Sequence, residues 1–150
     1  MSEVLSLPIT RVDSACDVEL PAYAHAGDAG LDLRAAQATT IPPFERTLIP
    51  TGLCMAIPAG HAGLVLPRSG LAIKHGLTLI NTPGLIDAGY RGEVKIAVVN
   101  LDPHTPVKIQ VGDRIAQLLV VPFAQVKTVQ VDALDDTQRG GGGFGSSGIG

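Results

Sequence analysis

The sequence predicts an all-β domain, and three observations carry that prediction. Short apolar stretches recur between turn-forming residues along most of the chain, only one stretch has helical start and stop signals, and the apolar content is aliphatic. The chain has 150 residues, enough for one domain, with 45% hydrophobic and only 3% aromatic positions. At 17% charged residues it is too apolar to remain disordered. Its 18 glycines and 11 prolines are punctuation that a helical bundle does not tolerate. Many short strands at this spacing favour a sandwich, a jelly roll or a barrel.

In chain order, residues 31–36, 46–49, 53–57, 63–66, 77–80, 93–100, 107–111, 114–122 and 126–131 read as strands. Between them stand Ile41-Pro42-Pro43, Pro50-Thr51-Gly52, Pro58-Ala59-Gly60, Thr82-Pro83-Gly84, Leu101-Asp102-Pro103 and Val111-Gly112-Asp113, all with turn chemistry. In the 93–100 stretch Val94, Ile96 and Val98 share one face and Lys95 takes the other, the mark of a half-buried strand. Residues 69–76 differ. Ser69 offers a capping hydroxyl, Lys74 and His75 are cationic near the end, and Gly76 follows, the pattern of a one- or two-turn helix. With Arg68 just before it, that start reads either as a phosphate site or as a decorated turn. Seven of the 18 glycines fall in the last 13 residues. By composition the chain is a β-body over residues 1–136 and a flexible arm over residues 137–150.

Composition also excludes some functions. A formal net charge of −3 leaves no basic surplus for a nucleic-acid partner, so an anionic ligand needs locally concentrated arginines. The longest apolar run, 115–123, is broken by Gln117 and Pro122 and falls short of the ~18 residues of a membrane span. No membrane partner is expected. The opening MSEVLSLPIT lacks a basic segment and a long apolar segment, so the expected location is the cytoplasm. Cys16 and Cys54 share no metal-like spacing with His25, His61, His75 or His104 and read as two small buried thiols. A mean hydropathy of +0.30 leaves aliphatic surface for burial between subunits. Gln117 interrupts an apolar strand, where an unpaired amide costs about 1–3 kcal/mol, so it needs a backbone or ligand partner.

Five segments stand out: Ala29-Gly30-Leu31-Asp32-Leu33-Arg34-Ala35, Pro67-Arg68-Ser69-Gly70-Leu71-Ala72, the 81–93 stretch NTPGLIDAGYRGE, Gly112-Asp113-Arg114-Ile115-Ala116-Gln117-Leu118, and the 139–148 stretch RGGGGFGSSG. Together they resemble the trimeric dUTPase (deoxyuridine 5′-triphosphate nucleotidohydrolase) family. All occur in the family's order, across nearly the whole chain. Ser147 stands where threonine is frequent and keeps the hydroxyl. The resemblance implies a distorted jelly-roll-like barrel with at most one short helix, a homotrimer with shared active sites, and hydrolysis of dUTP to dUMP and pyrophosphate. It also implies that the enzyme limits uracil incorporation into DNA and supplies dUMP for dTTP synthesis.

The residues suit the chemistry the resemblance implies. Such a reaction needs positioned donors, a base and a divalent cation on the phosphate oxygens. Asp87, a turn residue when read in isolation, becomes the candidate base that deprotonates the attacking water. Asp32 resembles the carboxylate that meets Mg²⁺ through water, a cation that sheds its waters reluctantly. Arg68, Ser69, the amide of Gly70 and Gln117 are the implied phosphate contacts. Asn81 with the main chain of Leu85 and Ile86 is the implied uracil reader, Tyr90 packs against the deoxyribose, and Lys95 is a further substrate contact. Arg139, Phe144, Gly145, Ser146 and Ser147 are the implied closing contacts of the arm over a neighbouring subunit's site. Ordering glycine-rich backbone costs about 1–2 kcal/mol per residue, so closure is expected only with nucleotide bound. A dCTP deaminase-like enzyme and a non-catalytic nucleotide-binding regulator on the same scaffold are the alternatives.

Overall fold

A computed structural model of the protein describes residues 4–13 and 17–143. In chain order its elements are β1 (Ile9–Arg11), β2 (Leu31–Arg34), β3 (Thr39–Ile41), β4 (Arg46–Met55), β5 (His61–Leu66), α1 (Ser69–His75), β6 (Leu77–Leu79), β7 (Gly84–Ile86), β8 (Glu93–Asn100), β9 (Val107–Ile109) and β10 (Arg114–Pro122). They build two four-stranded sheets, ordered β1-β4-β8-β6 and β2-β10-β5-β7, and a β3-β9 ribbon. Every strand pairing is antiparallel. Neither sheet closes on itself, so the architecture is all-β and jelly-roll-like without a closed barrel.

One aliphatic cluster joins the layers. Ile49, Met55 and Ile96 from the first sheet meet Leu33, Ile115 and Leu118 from the second and Ile41 and Ile109 from the ribbon. Each such side chain contributes about 1.5–3 kcal/mol by leaving water. In β8, Val94, Ile96 and Val98 are buried while Lys95 is exposed, as the alternation predicts.

Three local expectations are corrected. Pro50-Thr51-Gly52 is a bulge inside β4, where the register against β8 shifts between Pro50 and Cys54. Gly52 supplies a φ of 70°, in the left-handed region that favours glycine. Side chains serve the backbone groups that the bulge takes out of the ladder. The buried Thr51 hydroxyl donates to the Val94 carbonyl at 2.7 Å and accepts from the Leu53 N–H at 3.3 Å. The Gly52 N–H donates to the Glu93 carboxylate at 2.9 Å. Residues 126–131 form no strand: they ladder with none of the described residues, and Val126, Val129 and Val131 stand exposed. At α1 the N-cap is Arg68 rather than Ser69, and no side chain caps the helix. Its far end matches the pattern, with Gly76 at φ 66° donating to the Ala72 carbonyl at 3.0 Å.

Asn100 closes β8 onto the ribbon. Fully buried, it donates through Nδ2 to the carbonyls of Ile41 (3.0 Å) and Thr105 (2.9 Å) and accepts at Oδ1 from the Asp102 N–H at 2.9 Å. In the following loop the Asp102 carboxylate accepts from the N–H groups of His104 and Thr105, which hold its carboxyl below the usual value. Cys54 is a free, partly buried thiol, and Cys16 lies outside the described residues.

Candidate active site

Apart from those of the C-terminal arm, the sequence-selected residues sort into two clefts that share no lining residue. The first, about 470 Å³, is bordered by Asn81, Asp87, Tyr90 and Lys95 over an apolar floor that includes Val65, Leu79 and Ile96. Its wall is β7, paired with β5 so that Gly84 and Ile86 face inward and Leu85 outward. Where β7 ends, the chain turns, and the Tyr90 N–H closes the turn on the Asp87 carbonyl at 3.0 Å. Asp87 is left exposed, with no side-chain hydrogen bond or ion pair to the described residues. Tyr90 folds back instead, its hydroxyl donating to the Glu93 carbonyl at 2.9 Å. Glu93 is fixed in turn by the bulge N–H of Gly52 and by Lys95, whose Nζ lies 3.6 Å from its carboxylate.

The second cleft, about 560 Å³, is polar. Asp32 on β2 lies directly opposite Gln117 on β10, and Gln117 opposes Leu66 of β5. Asp32 meets Arg68 Nε at 3.5 Å and Arg114 Nη1 at 3.2 Å, while Arg68 also donates to the Arg114 carbonyl at 3.0 Å. Gln117 donates from Nε2 to the Pro67 carbonyl at 3.1 Å, the backbone partner its strand position requires. Gly30 makes room for that amide, since a Cβ there would sit 2.6 Å from Gln117 Oε1. Beside them the first turn of α1 exposes Ser69 and Gly70, whose N–H groups have no intrahelical partner. A Cβ on Gly70 would point into open space, so the main chain there is accessible to a ligand.

Sequence reasoning missed Arg114, Asp28 and His25, all of which line this polar cleft. Strict period-two alternation sets residues 114 and 117 on opposite faces of β10. A register shift between Arg114 and Ala116 brings both into the cleft, and local pattern carries no signal for it. Arg139 sits in an exposed turn, its Nε donating to the Gly142 carbonyl at 2.9 Å, and lines neither cleft. Phe144, Gly145, Ser146 and Ser147 lie outside the described residues.

For a divalent cation the donor chemistry is specific. No group of three or more His, Cys, Asp or Glu side chains able to hold a metal occurs among the described residues. Asp32, with Asp28 in the same cleft, therefore suits a cation held largely by water and ligand oxygens, as Mg²⁺ prefers.

Fold and clefts together define a class: a jelly-roll-like all-β protein with one cleft whose donors suit a phosphate chain and another that couples an apolar floor to an exposed carboxylate. A model of the dUTPase family matches residues 17–148, and the chain belongs to that family. The deoxyuridine 5′-triphosphate nucleotidohydrolase of Leifsonia xyli subsp. xyli is 53% identical over 148 residues, covering 99% of this chain and 93% of its own. A Staphylococcus bacteriophage 80alpha dUTPase with dUPNHPP superposes with a TM-score of 0.88 at 29% identity, over 97% of this chain and all of the other. A mutant dUTPase from phage phi11 of S. aureus, described as coordinating a structural Mg(II) ion, gives 0.80 at 26% identity, over 88% of this chain and all of its own.

Proposed function

We propose that this chain hydrolyses dUTP to dUMP and pyrophosphate as a dUTP diphosphatase, the activity for which its Leifsonia relative is named. The observation that carries the reading is Asp87, an exposed carboxylate on a turn between Asn81 and Tyr90 that lines the first cleft and has no side-chain partner among the described residues. A carboxylate so placed can hold and deprotonate a water. The dUTP analogue bound by the 80alpha neighbour agrees with the choice of substrate.

In this mechanism the triphosphate lies along the polar cleft. Arg68 supplies a cation, Ser69 a hydroxyl, Gly70 and its neighbour free N–H groups, and Gln117 an amide already oriented by Pro67. Asn81 and the main chain of Leu85 and Ile86 take the uracil edge, Lys95 assists, and Tyr90 packs on the deoxyribose. Asp87 accepts the proton of the attacking water, whose oxygen bonds to the α-phosphorus as the bond to the pyrophosphate oxygen breaks. Asp32 would hold Mg²⁺ through water, and the ion would offset negative charge on the phosphate oxygens. Arg139, Phe144, Gly145, Ser146 and Ser147 then close over the nucleotide and exclude water.

Because the base-reading residues and the phosphate-binding residues occupy separate clefts, the complete site draws them from more than one copy of the chain in a homotrimer. Sedimentation at three times the chain mass supports this, and a monomer active at all dilutions refutes it. For the chemistry, Asp87→Asn keeps dUTP binding and lowers kcat by about 10²–10⁴-fold. An unchanged kcat removes Asp87 from the role of base.

A further inference from the structure

Tyr90 is held through both its main chain and its side chain. Its own N–H bonds to the Asp87 carbonyl at 3.0 Å, and its hydroxyl bonds to the Glu93 carbonyl at 2.9 Å, at the first residue of β8. The hydroxyl end of the ring thereby comes close over Gly92. A Cβ on Gly92 would stand 2.5 Å from Tyr90 Oη, 2.7 Å from Cζ and 3.0 Å from Cε2. Carbon atoms repel steeply below ~3.5 Å, and a phenol ring is rigid, so the whole ring would have to swing away.

The backbone makes no such demand for glycine. Gly92 is absent from the positive-φ glycines of the described chain, so alanine is conformationally permitted there. Gly89, in the same turn, has open space around its Cβ position and likewise lacks a positive φ. The requirement at position 92 therefore comes from the Tyr90 ring.

We propose that Gly92 is a positioning residue for sugar selection: by lacking a side chain it lets Tyr90 lie against the Glu93 carbonyl, at the place where the ring leaves no room for a 2′-hydroxyl. The inference rests on the reading of Tyr90 as the wall beside the deoxyribose. Displacing the ring opens that wall without removing any atom of it. The consequence is a change in the preference for deoxyribonucleotide over ribonucleotide, with Asp87 and the phosphate cleft left in place.

The test measures kcat/KM for dUTP and UTP in the full-length protein and in Gly92→Ala, Gly89→Ala, Tyr90→Ala and the Gly92→Ala/Tyr90→Ala double variant. In Gly92→Ala the dUTP:UTP ratio is expected to fall by about tenfold or more, the scale on which a single pocket contact discriminates, while UTP turnover rises. Gly89→Ala keeps the parent ratio. In the Tyr90→Ala background the Gly92 substitution has no further effect, because nothing remains to displace. A parent-like ratio in Gly92→Ala, a similar loss in Gly89→Ala, or additive losses in the double variant overturns the proposal. If Gly92→Ala does not fold, a folded double variant supports the clash with the ring, and an unfolded one refutes it. The functional reading is judged separately by the parent protein, which must itself prefer dUTP to UTP.

Discussion

Replacing Thr51 with valine exchanges a hydroxyl for a methyl of nearly the same shape inside the β4 bulge. The side chain is fully buried, its Oγ1 donating to the Val94 carbonyl at 2.7 Å and accepting from the Leu53 N–H at 3.3 Å. In Thr51→Val the Val94 carbonyl loses its short bond in a dry environment, a cost of about 1–3 kcal/mol, and the longer Leu53 bond adds less. The new methyl returns about 0.8 kcal/mol. The net loss is about 1–2 kcal/mol, or roughly 2–8 °C in Tm for a chain of this size. Thr51→Ser keeps the hydroxyl and loses only a methyl, about 1 kcal/mol. Thermal melts followed by circular dichroism at fixed protein concentration should rank the parent first, Ser second and Val last. A valine variant at least as stable as the parent would refute the claim that the hydroxyl satisfies the bulge.

Two further predictions follow from the polar cleft and the β8–β9 loop. Arg114→Ala removes one of the two cations on Asp32; the pair is partly solvent-exposed, so stability should move by less than ~1 kcal/mol. In contrast kcat/KM for dUTP should fall by about tenfold or more, since a hydrogen bond to a charged group contributes about 1.5–3 kcal/mol; steady-state kinetics beside a melt separates the two, and unchanged kinetics places Arg114 outside the site. Asp102 has its folded pKa lowered below the ordinary 3.8 by the His104 and Thr105 N–H groups. Its stabilisation is therefore present above that ordinary value and is lost as pH falls through the lowered one. The Tm gap between the parent and Asp102→Ala should be constant at and above about pH 5 and shrink below the ordinary value; a gap that widens in acid contradicts the assignment.

Strong periodicity was legible and irregularity was not. Residues 93–100 and 114–122 become β8 and β10 with the bounds the pattern gives, because long apolar alternation leaves one solution. Of the five three-residue strands, β6 and β9 were legible inside the longer apolar stretches 77–80 and 107–111, while β1, β3 and β7 left no trace, because three residues without such flanks cannot establish a period. Pro50-Thr51-Gly52 has the chemistry of a turn and of a bulge alike. Only the partner strand, with Glu93 and Val94 in place to receive the freed groups, decides for the bulge. Arg114 was hidden for a related reason, because a register shift is a property of two strands. The joint motifs picked out Asp32, Arg68, Gln117, Asn81 and Asp87 as candidates, and nothing in the sequence showed that these line two separate clefts. That division is a matter of which turns the two sheets place side by side.

Product analysis tests the proposed hydrolysis of dUTP itself. The purified protein is incubated separately with dUTP, dCTP, dTTP and UTP in the presence of Mg²⁺, and pyrophosphate and ammonia are assayed independently. Pyrophosphate and dUMP are expected from dUTP, little or none from the other three, and no ammonia. Ammonia from dCTP, or the absence of product from every nucleotide, would contradict the proposed hydrolysis.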